Sequence, residues 1–171
     1  MTASNSATGG IYIGLGANLP SMIGTPRETL EATLEHLAGK GVNILAQSPW
    51  YASEPVPASD QPWFINGVAE LATELDPGSL MALLHSIEAS LGRIRRERWE
   101  ARVVDVDLLD YRGNVDAGPS PILPHPRMTE RGFVLFPLRD IAPDWRDPVS
   151  RQGIDALIET LAPGGAIKKA D

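Results

Sequence analysis

The stretch Val103-Val-Asp-Val-Asp-Leu-Leu109 is a β-branched and aliphatic run that predicts a β-strand. Side chains alternate between the two faces of a strand, so Asp105 and Asp107 are expected to point the same way. Two carboxylates on one face repel each other unless a cation lies between them. Mg²⁺ commonly takes one or two carboxylates together with substrate phosphates, so the pair predicts a metal site.

An arginine-rich segment comes directly before this strand. Its arginines are Arg93, Arg95, Arg96, Arg98 and Arg102. Guanidinium groups bind phosphate oxygens through paired hydrogen bonds, so the segment predicts a polyphosphate site shared with the two aspartates. Taken alone, an Asp-x-Asp pair is usually a solvated strand edge, and an arginine run is usually a solvated face. Their adjacency, with Trp99 between them, favours a functional site.

The length and composition indicate a globular protein without thiol chemistry. The chain has 171 residues, 43 % of them hydrophobic, which favours one domain over residues 11–162. Residues 1–10 are small and polar and predict a disordered leader, and residues 163–171 predict a frayed tail. The sequence has no cysteine, which excludes disulfides and Cys-ligated zinc. No run approaches a membrane span, and we expect a cytoplasmic protein.

The charge is unevenly distributed along the chain. The net charge is -7, whereas residues 93–102 hold five basic and two acidic residues, a local balance of +3. Broad nucleic-acid binding needs an extended basic face, which this pattern does not provide. A single basic focus in an acidic chain instead suits a small anionic ligand.

The hydrophobic patterns predict an α+β domain with a ferredoxin-like sandwich and a mainly antiparallel sheet. Helices are expected on one face of the sheet and substrate loops on the other. The predicted order is a strand at 11–16, a helix after the capping box at Thr25, a strand at 42–48, a loop at 49–63, a strand at 64–71, a helix capped by Ser79, the aspartate strand, a short last strand at 133–136 and a C-terminal helix from Ile154 to Leu161.

Two further pairs of side chains are candidates from their spacing. Phe64 and Asn66 share one strand face, and an aromatic ring beside an amide suits a flat heterocycle. The alternative is an aromatic side chain packing beside a solvated amide, which is the commoner arrangement. His85 and Glu88 lie three apart, off the apolar stripe of their helix, so both are expected on an exposed face.

Short motifs lie along most of the chain between Ile11 and Pro143. They are Tyr12-Ile-Gly-Leu-Gly-Ala-Asn18, Gln61-Pro62 with Phe64-Ile-Asn66, Leu91-Gly-Arg93, Glu97-Arg-Trp99, Arg102 with Asp105-Val-Asp107, Pro124-His125-Pro126, Arg131-Gly-Phe133 and Pro137-Leu138. As a set they resemble the hydroxymethyl-dihydropterin pyrophosphokinase family of folate-biosynthesis enzymes. The resemblance implies transfer of pyrophosphate from ATP to the pterin hydroxymethyl group, with release of AMP.

The resemblance also implies a role for individual residues. Asp105 and Asp107 would hold two Mg²⁺ ions against the ATP phosphates, and Arg93 and Arg102 would complete the catalytic set. The implied ATP contacts are His85, Glu88, Arg95, Arg98, Leu108, Ile122, His125 and Arg131. The implied pterin contacts are Ser53, Glu54, Val56, Phe64, Asn66, Trp99 and Phe133. The implied partners are ATP and a reduced pterin, with no nucleic acid or membrane, and the protein is expected to be a monomer.

Two other function classes stay open at the level of sequence. A different Mg²⁺-dependent enzyme, such as a nucleotidyl transferase, also uses paired aspartates and would release pyrophosphate instead of AMP. A non-catalytic RNA-binding module on the same fold would use Trp99 and the arginines, and its binding would depend steeply on salt.

Overall fold

The computed structural model describes residues 9–55, 57–91, 103–119 and 121–170. Its strands are β1 (Ile11–Ala17), β2 (Asn43–Gln47), β3 (Tyr51–Ser53), β4 (Phe64–Ala72), β5 (Asp105–Tyr111) and β6 (Ile167–Lys169). Its helices are α1 (Pro26–Gly39), α2 (Pro77–Ser90), α3 (Gly132–Ile141) and α4 (Ile154–Glu159), with a short 3₁₀ turn at Met128–Glu130. The predicted α+β class is confirmed.

The six strands form one sheet in the order β5-β1-β4-β3-β6, and β2 also pairs with β4. All of these strand pairs are antiparallel. β1 and β4 make the long central pair, which runs from Ile11 opposite Leu71 to Ala17 opposite Ile65. β5 lies at one edge of the sheet, beside β1, and carries the aspartates.

The alternation of β1 explains why both faces of the sheet are covered. Ile11, Ile13 and Leu15 point into the larger core, which holds the apolar stripes of α1 and α2. Tyr12 points to the opposite face, where Val68 and Leu109 pack against α3, α4 and Trp145. The α3 and α4 helices on this second face add to the predicted arrangement, and the candidate site lies beside them.

The two long helices begin at side-chain caps. Thr25 and Glu28 form the predicted capping box at the start of α1, with Pro26 at the first helical position. The prediction that Ser79 caps α2 is wrong, because Asp76 accepts the Ser79 backbone N–H at 2.7 Å and the helix begins at Pro77. The cap lies three residues earlier because a carboxylate is as good an acceptor there as a hydroxyl.

Three predictions near the carboxyl half and the long loop are wrong. The segment 133–136 is the first part of helix α3 rather than a strand, because Val134, Leu135 and Leu138 fill the second core at helical spacing. The loop at 49–63 contains strand β3. The tail beyond Gly164 contains strand β6, which pairs with β3 instead of fraying. Residues 1–8 lie outside the described residues, and the leader and domain limits stay predictions.

Within the described part of the chain, none of the helices has both the length and the apolar character needed to cross a membrane.

Candidate active site

The two aspartates share one face of β5, as predicted. In the strand register Asp105 lies opposite Gly16 and Asp107 lies opposite Gly14, and both aspartates are half-buried. Val106, between them, points into the larger core on the other face. Because both partner positions on β1 are glycines, no side chain of β1 covers the carboxylates. The two carboxylates therefore lie on the second face of the sheet, over the glycine positions of β1.

Glu88 secures the outer edge of the aspartate strand. Its Oε2 accepts the Val106 backbone N–H at 2.7 Å, and the residue is only 2 % exposed. The prediction that Glu88 lies on an exposed helix face with His85 is therefore wrong for Glu88, although His85 is exposed. The reason is that an edge strand needs an acceptor for its outward amide, and α2 lies directly against this edge. An ATP contact by either residue stays a prediction.

The His125 ring lies near Asp105, and one of its two nitrogens is engaged by the backbone. Its backbone N–H donates to Leu109 O at 2.8 Å, which places the residue along the outer edge of β5. Its Nδ1 accepts the Arg127 N–H at 3.2 Å, so the proton of the neutral ring lies on Nε2. Burial lowers the pKa of His125, the Arg131 charge lowers it further, and Asp105 opposes both.

Arg131 brings a fixed positive charge to the same place. Burial lowers the pKa of Arg131, and the charges of Asp107 and Asp105 act in the opposite direction. Arg131 comes directly before α3, and its guanidinium carbon lies 5.6 Å from the centre of the Phe133 ring. His125, Arg131 and the two aspartates are thus electrostatic neighbours in the fold, although they are distant in the sequence.

The Asn66 amide and the Ser53 hydroxyl lie on the same face of the sheet as the two aspartates. Asn66 on β4 lies opposite Gly16 on β1, and the Asn66 Nδ2 donates to Ser53 Oγ at 2.7 Å. Both side chains are buried. A Cβ added to Gly16 would lie 2.8 Å from Asn66 Oδ1, so glycine is what allows the amide to lie over β1. This arrangement fixes the orientation of the amide.

Two of the three predicted aromatic contacts lie in the described residues, and both are partly exposed. Phe64 begins β4 and Phe133 lies in the first turn of α3, and each ring is half-buried. Glu54 follows β3, but its Oε1 accepts the Ala166 backbone N–H at 2.8 Å. Among the predicted pterin residues, Val56 and Trp99 lie outside the described residues.

Two of the predicted ATP contacts, Leu108 and Ile122, lie in different environments. The Leu108 side chain is buried in the larger core, so only its backbone could meet a ligand. Ile122 is 43 % exposed and precedes Leu123, whose backbone pairs with Asp116. The predicted phosphate arginines Arg93, Arg95, Arg98 and Arg102 lie outside the described residues.

Asn18 was quoted in a sequence motif but was given no role of its own. Its Nδ2 donates to Gln61 Oε1 at 2.9 Å and to Pro62 O at 3.3 Å. These bonds tie the loop after β1 to the loop before β4. Both partners lie inside quoted motifs, and an amide at a strand end beside a second distant amide was the available signal.

The described residues offer carboxylates for a metal but no complete protein cage. In the described ranges, no three or more His, Asp or Glu side chains converge on one point in a way that could hold an ion. Mg²⁺ is usually bound by one or two carboxylates and completed by phosphate oxygens and water. The Asp105 and Asp107 pair fits that requirement in the number and chemistry of its donors.

Comparison with known proteins shows the family of the chain. The family model described as 7,8-dihydro-6-hydroxymethylpterin-pyrophosphokinase (HPPK) matches residues 12–143, more than half of the chain. The chain belongs to this family. It is an ATP-dependent pyrophosphokinase, as the resemblance implied, and the nucleotidyl-transferase and RNA-binding alternatives receive no support from the family match.

Three bacterial relatives carry the name 2-amino-4-hydroxy-6-hydroxymethyldihydropteridine pyrophosphokinase. The relative from Methylorubrum extorquens is 43 % identical over 78 % of this chain and 82 % of its own length. The relative from Pseudomonas aeruginosa is 41 % identical over 82 % of this chain and 85 % of its own. The relative from Haemophilus influenzae is 37 % identical over 92 % of this chain and 96 % of its own. The similarity therefore covers most of each relative.

Proposed function

We propose that this pyrophosphokinase transfers the β- and γ-phosphates of ATP to the hydroxymethyl group of 6-hydroxymethyl-7,8-dihydropterin, a step of folate biosynthesis. The pterin hydroxyl oxygen forms a bond to the β-phosphorus, and the bond from that phosphorus to the α–β bridging oxygen breaks. AMP leaves with the bridging oxygen, and the hydroxyl proton is released. The observation that carries the proposal is the half-buried carboxylate pair beside His125 and Arg131.

Positioning and charge neutralisation account for most of this chemistry. Asp105 and Asp107 would hold two Mg²⁺ ions, which would supply positive charge against the phosphate oxygens. His125 donates its Nε2–H to a phosphate oxygen, since its Nδ1 is engaged with Arg127. Arg131 adds a fixed cation near the two aspartates. Phosphoryl transfer has a loose transition state, so these residues act by position and charge rather than by covalent catalysis.

The arginine segment supplies the remaining charge. Arg93 and Arg102 contact the transferring phosphates, and Arg95 and Arg98 support them. Guanidinium groups remain charged at any working pH and match phosphate oxygens in pairs, which suits this task. Trp99 is the pterin contact that the family resemblance implies within this segment.

The pterin lies on the amide side of the same face. Asn66 reads its edge, because the bond to Ser53 fixes which way the amide points. Phe64 and Phe133 hold the flat ring between them. The backbone of Ser53, Glu54 and Val56 borders the ring. This order puts the pterin hydroxymethyl group next to the aspartates, where the phosphates of ATP arrive. We also propose that the protein acts as a cytoplasmic monomer.

The nucleotide product tests the proposal. The protein is incubated with ATP, Mg²⁺ and the reduced pterin alcohol, and the nucleotides are separated. We expect AMP whose formation requires both the pterin and the metal. ADP as the only product, or pyrophosphate released without pterin diphosphate, would contradict the proposal.

A matched pair of variants assigns the activity to the carboxylate pair. Asp107→Asn should lower turnover by about 100-fold or more, because it removes a charge that acts on the transferring phosphates. Asp144→Asn changes an exposed aspartate in the turn after α3 and should leave turnover unchanged. Both variants should keep the wild-type Tm within a few degrees, since neither carboxylate is in the apolar core.

A further inference from the structure

The segment 166–170 covers the outer edge of β3, which carries part of the pterin side of the site. In the strand register Ser53 lies opposite Ile167 and Tyr51 lies opposite Lys169. Backbone bonds extend the pairing at both ends, from Glu54 N–H to Ala166 O at 3.0 Å and from Ala170 N–H to Trp50 O at 2.8 Å. The segment therefore holds β3 along its whole length.

The Glu54 side chain adds a second bond to the same residue of this segment. Its Oε1 accepts the Ala166 N–H at 2.8 Å, while its own N–H donates to Ala166 O. Both backbone groups of Ala166 are therefore engaged by Glu54. A hydrogen bond to a carboxylate is stronger than one between neutral groups, so this contact is the strongest polar link at the start of the segment.

Two side chains of β6, which lie on opposite faces of the sheet, contact the segments next to Phe133 and Phe64. A Cβ added to Gly132 would lie 2.7 Å from Ile167 Cδ1, so Ile167 packs directly on the start of α3. Gly132 lies between Arg131 and Phe133. The Lys168 ammonium lies 5.6 Å from the centre of the ring of Trp63, which is the residue before Phe64. One short strand thus contacts the supports of Ser53, Phe64 and Phe133.

We propose that β6 is a positioning strand for the pterin pocket and that Glu54 is the positioning residue that fastens it. This inference rests on the proposed function, since it names how the pterin half of that site is held. The aspartates and His125 lie at β5, at the opposite edge of the sheet. Breaking the bond of Glu54 to Ala166 therefore weakens pterin binding and leaves ATP binding intact.

Steady-state kinetics of Glu54→Ala separate the two substrates. We expect the KM for the pterin to rise about tenfold, in line with the loss of a hydrogen bond to a charged group, while kcat and the KM for ATP stay within about twofold. Glu54→Gln keeps an oxygen that accepts the Ala166 N–H and should retain most of the wild-type affinity. Glu159→Ala removes an exposed glutamate of α4 and serves as the control.

Ile167→Ala tests the strand without altering any residue assigned to the pterin. It removes the contact with the start of α3 and should raise the pterin KM in the same direction as Glu54→Ala. A rise in Glu54→Ala without a rise in Ile167→Ala would overturn the proposal, because it would mean that Glu54 acts on the pterin directly.

Hydrogen exchange gives a readout that does not depend on activity. The backbone amides of Ala166 and Ala170 should exchange faster in Glu54→Ala than in the wild type, while the amides of β1 stay protected. Unchanged exchange would overturn the fastening role, and faster exchange with an unchanged pterin KM would overturn the positioning role. A wild-type protein that makes no AMP would instead contradict the proposed function, whatever the exchange result.

Discussion

At the scale of single residues, the missing side chain of Gly16 matters most for the candidate site on the second face of the sheet. Gly16 lies between Asp105 on β5 and Asn66 on β4, so any side chain there would enter the space between the proposed metal and pterin positions. The Asn66 amide cannot easily give way, because its Nδ2 is bonded to Ser53 Oγ. Glycine at this position is therefore a requirement of the site.

We expect Gly16→Ala to destabilise the fold by about 1–3 kcal/mol, the usual cost of overpacking, and to weaken pterin binding. The added Cβ would lie 2.8 Å from Asn66 Oδ1. Gly14→Ala is the matched control, since its Cβ would meet Leu109 Cδ2 at 3.4 Å, an ordinary contact. Urea denaturation measures both variants. Equal losses of stability in the two would contradict the role given to Gly16.

The proton state of His125 gives a second test at this scale. Burial and the Arg131 charge lower the pKa of His125 below its ordinary value of 6.5, so the folded protein keeps the ring neutral where an unfolded chain would protonate it. An NMR titration should show a midpoint below 6.5, with His125→Gln assigning the resonance. A midpoint above 6.5 would contradict a neutral Nε2–H donor at neutral pH.

The same shift makes stability depend on pH. As the pH falls through 6.5, the unfolded chain binds a proton at this position and the folded chain does not. The unfolded state is then favoured, so the contribution of His125 to the free energy of unfolding decreases toward acid pH. Urea denaturation between pH 7 and pH 5 should show a smaller loss for His125→Gln than for the wild type.

At the scale of the element, β5 depends on an acceptor that comes from a helix. Glu88→Ala leaves the Val106 N–H without its carboxylate in a buried place, and we expect a loss of about 1–3 kcal/mol in the free energy of unfolding. Glu35→Ala, an exposed glutamate of α1, should change stability by no more than about 0.5 kcal/mol. Wild-type stability in Glu88→Ala would contradict the edge-supporting role.

The same elements show what sequence patterns can predict. Alternation located β1, β4 and β5 and the shared face of the aspartates, because both depend only on local periodicity. The helix at 132–141 was missed because Phe133 and Val134 favour strands, and only packing against β4 makes a helix the better solution. Strands β3 and β6 are three residues each, and they exist because β3 pairs with β4 and β6 pairs with β3.

Contacts between residues that are distant in the sequence could not be predicted from local patterns either. The spacing of Glu88 predicts an exposed helix face. In the structure its carboxylate instead accepts the Val106 N–H of the neighbouring edge strand, so the side chain is buried. The Glu54 contact with Ala166 joins residues that are 112 positions apart, and no local pattern reports such a pairing.

At the scale of the whole molecule, the candidate site is divided between the two edges of one sheet. The proposed phosphate half lies at β5, with Glu88 and His125 on its outer edge. The proposed pterin half lies at β3, fastened by β6. The sheet holds the two halves in register, and the net charge of -7 leaves the basic segment at 93–102 as the place that attracts an anionic nucleotide.

A structure of the protein with an ATP analogue whose α–β bridge cannot be cleaved, Mg²⁺ and the pterin tests this account most directly. We expect the Asp105 and Asp107 carboxylates to bind metal that also contacts the phosphates, with the pterin hydroxyl facing the β-phosphorus. Metal bound elsewhere, with both carboxylates turned away from the phosphates, would contradict the account.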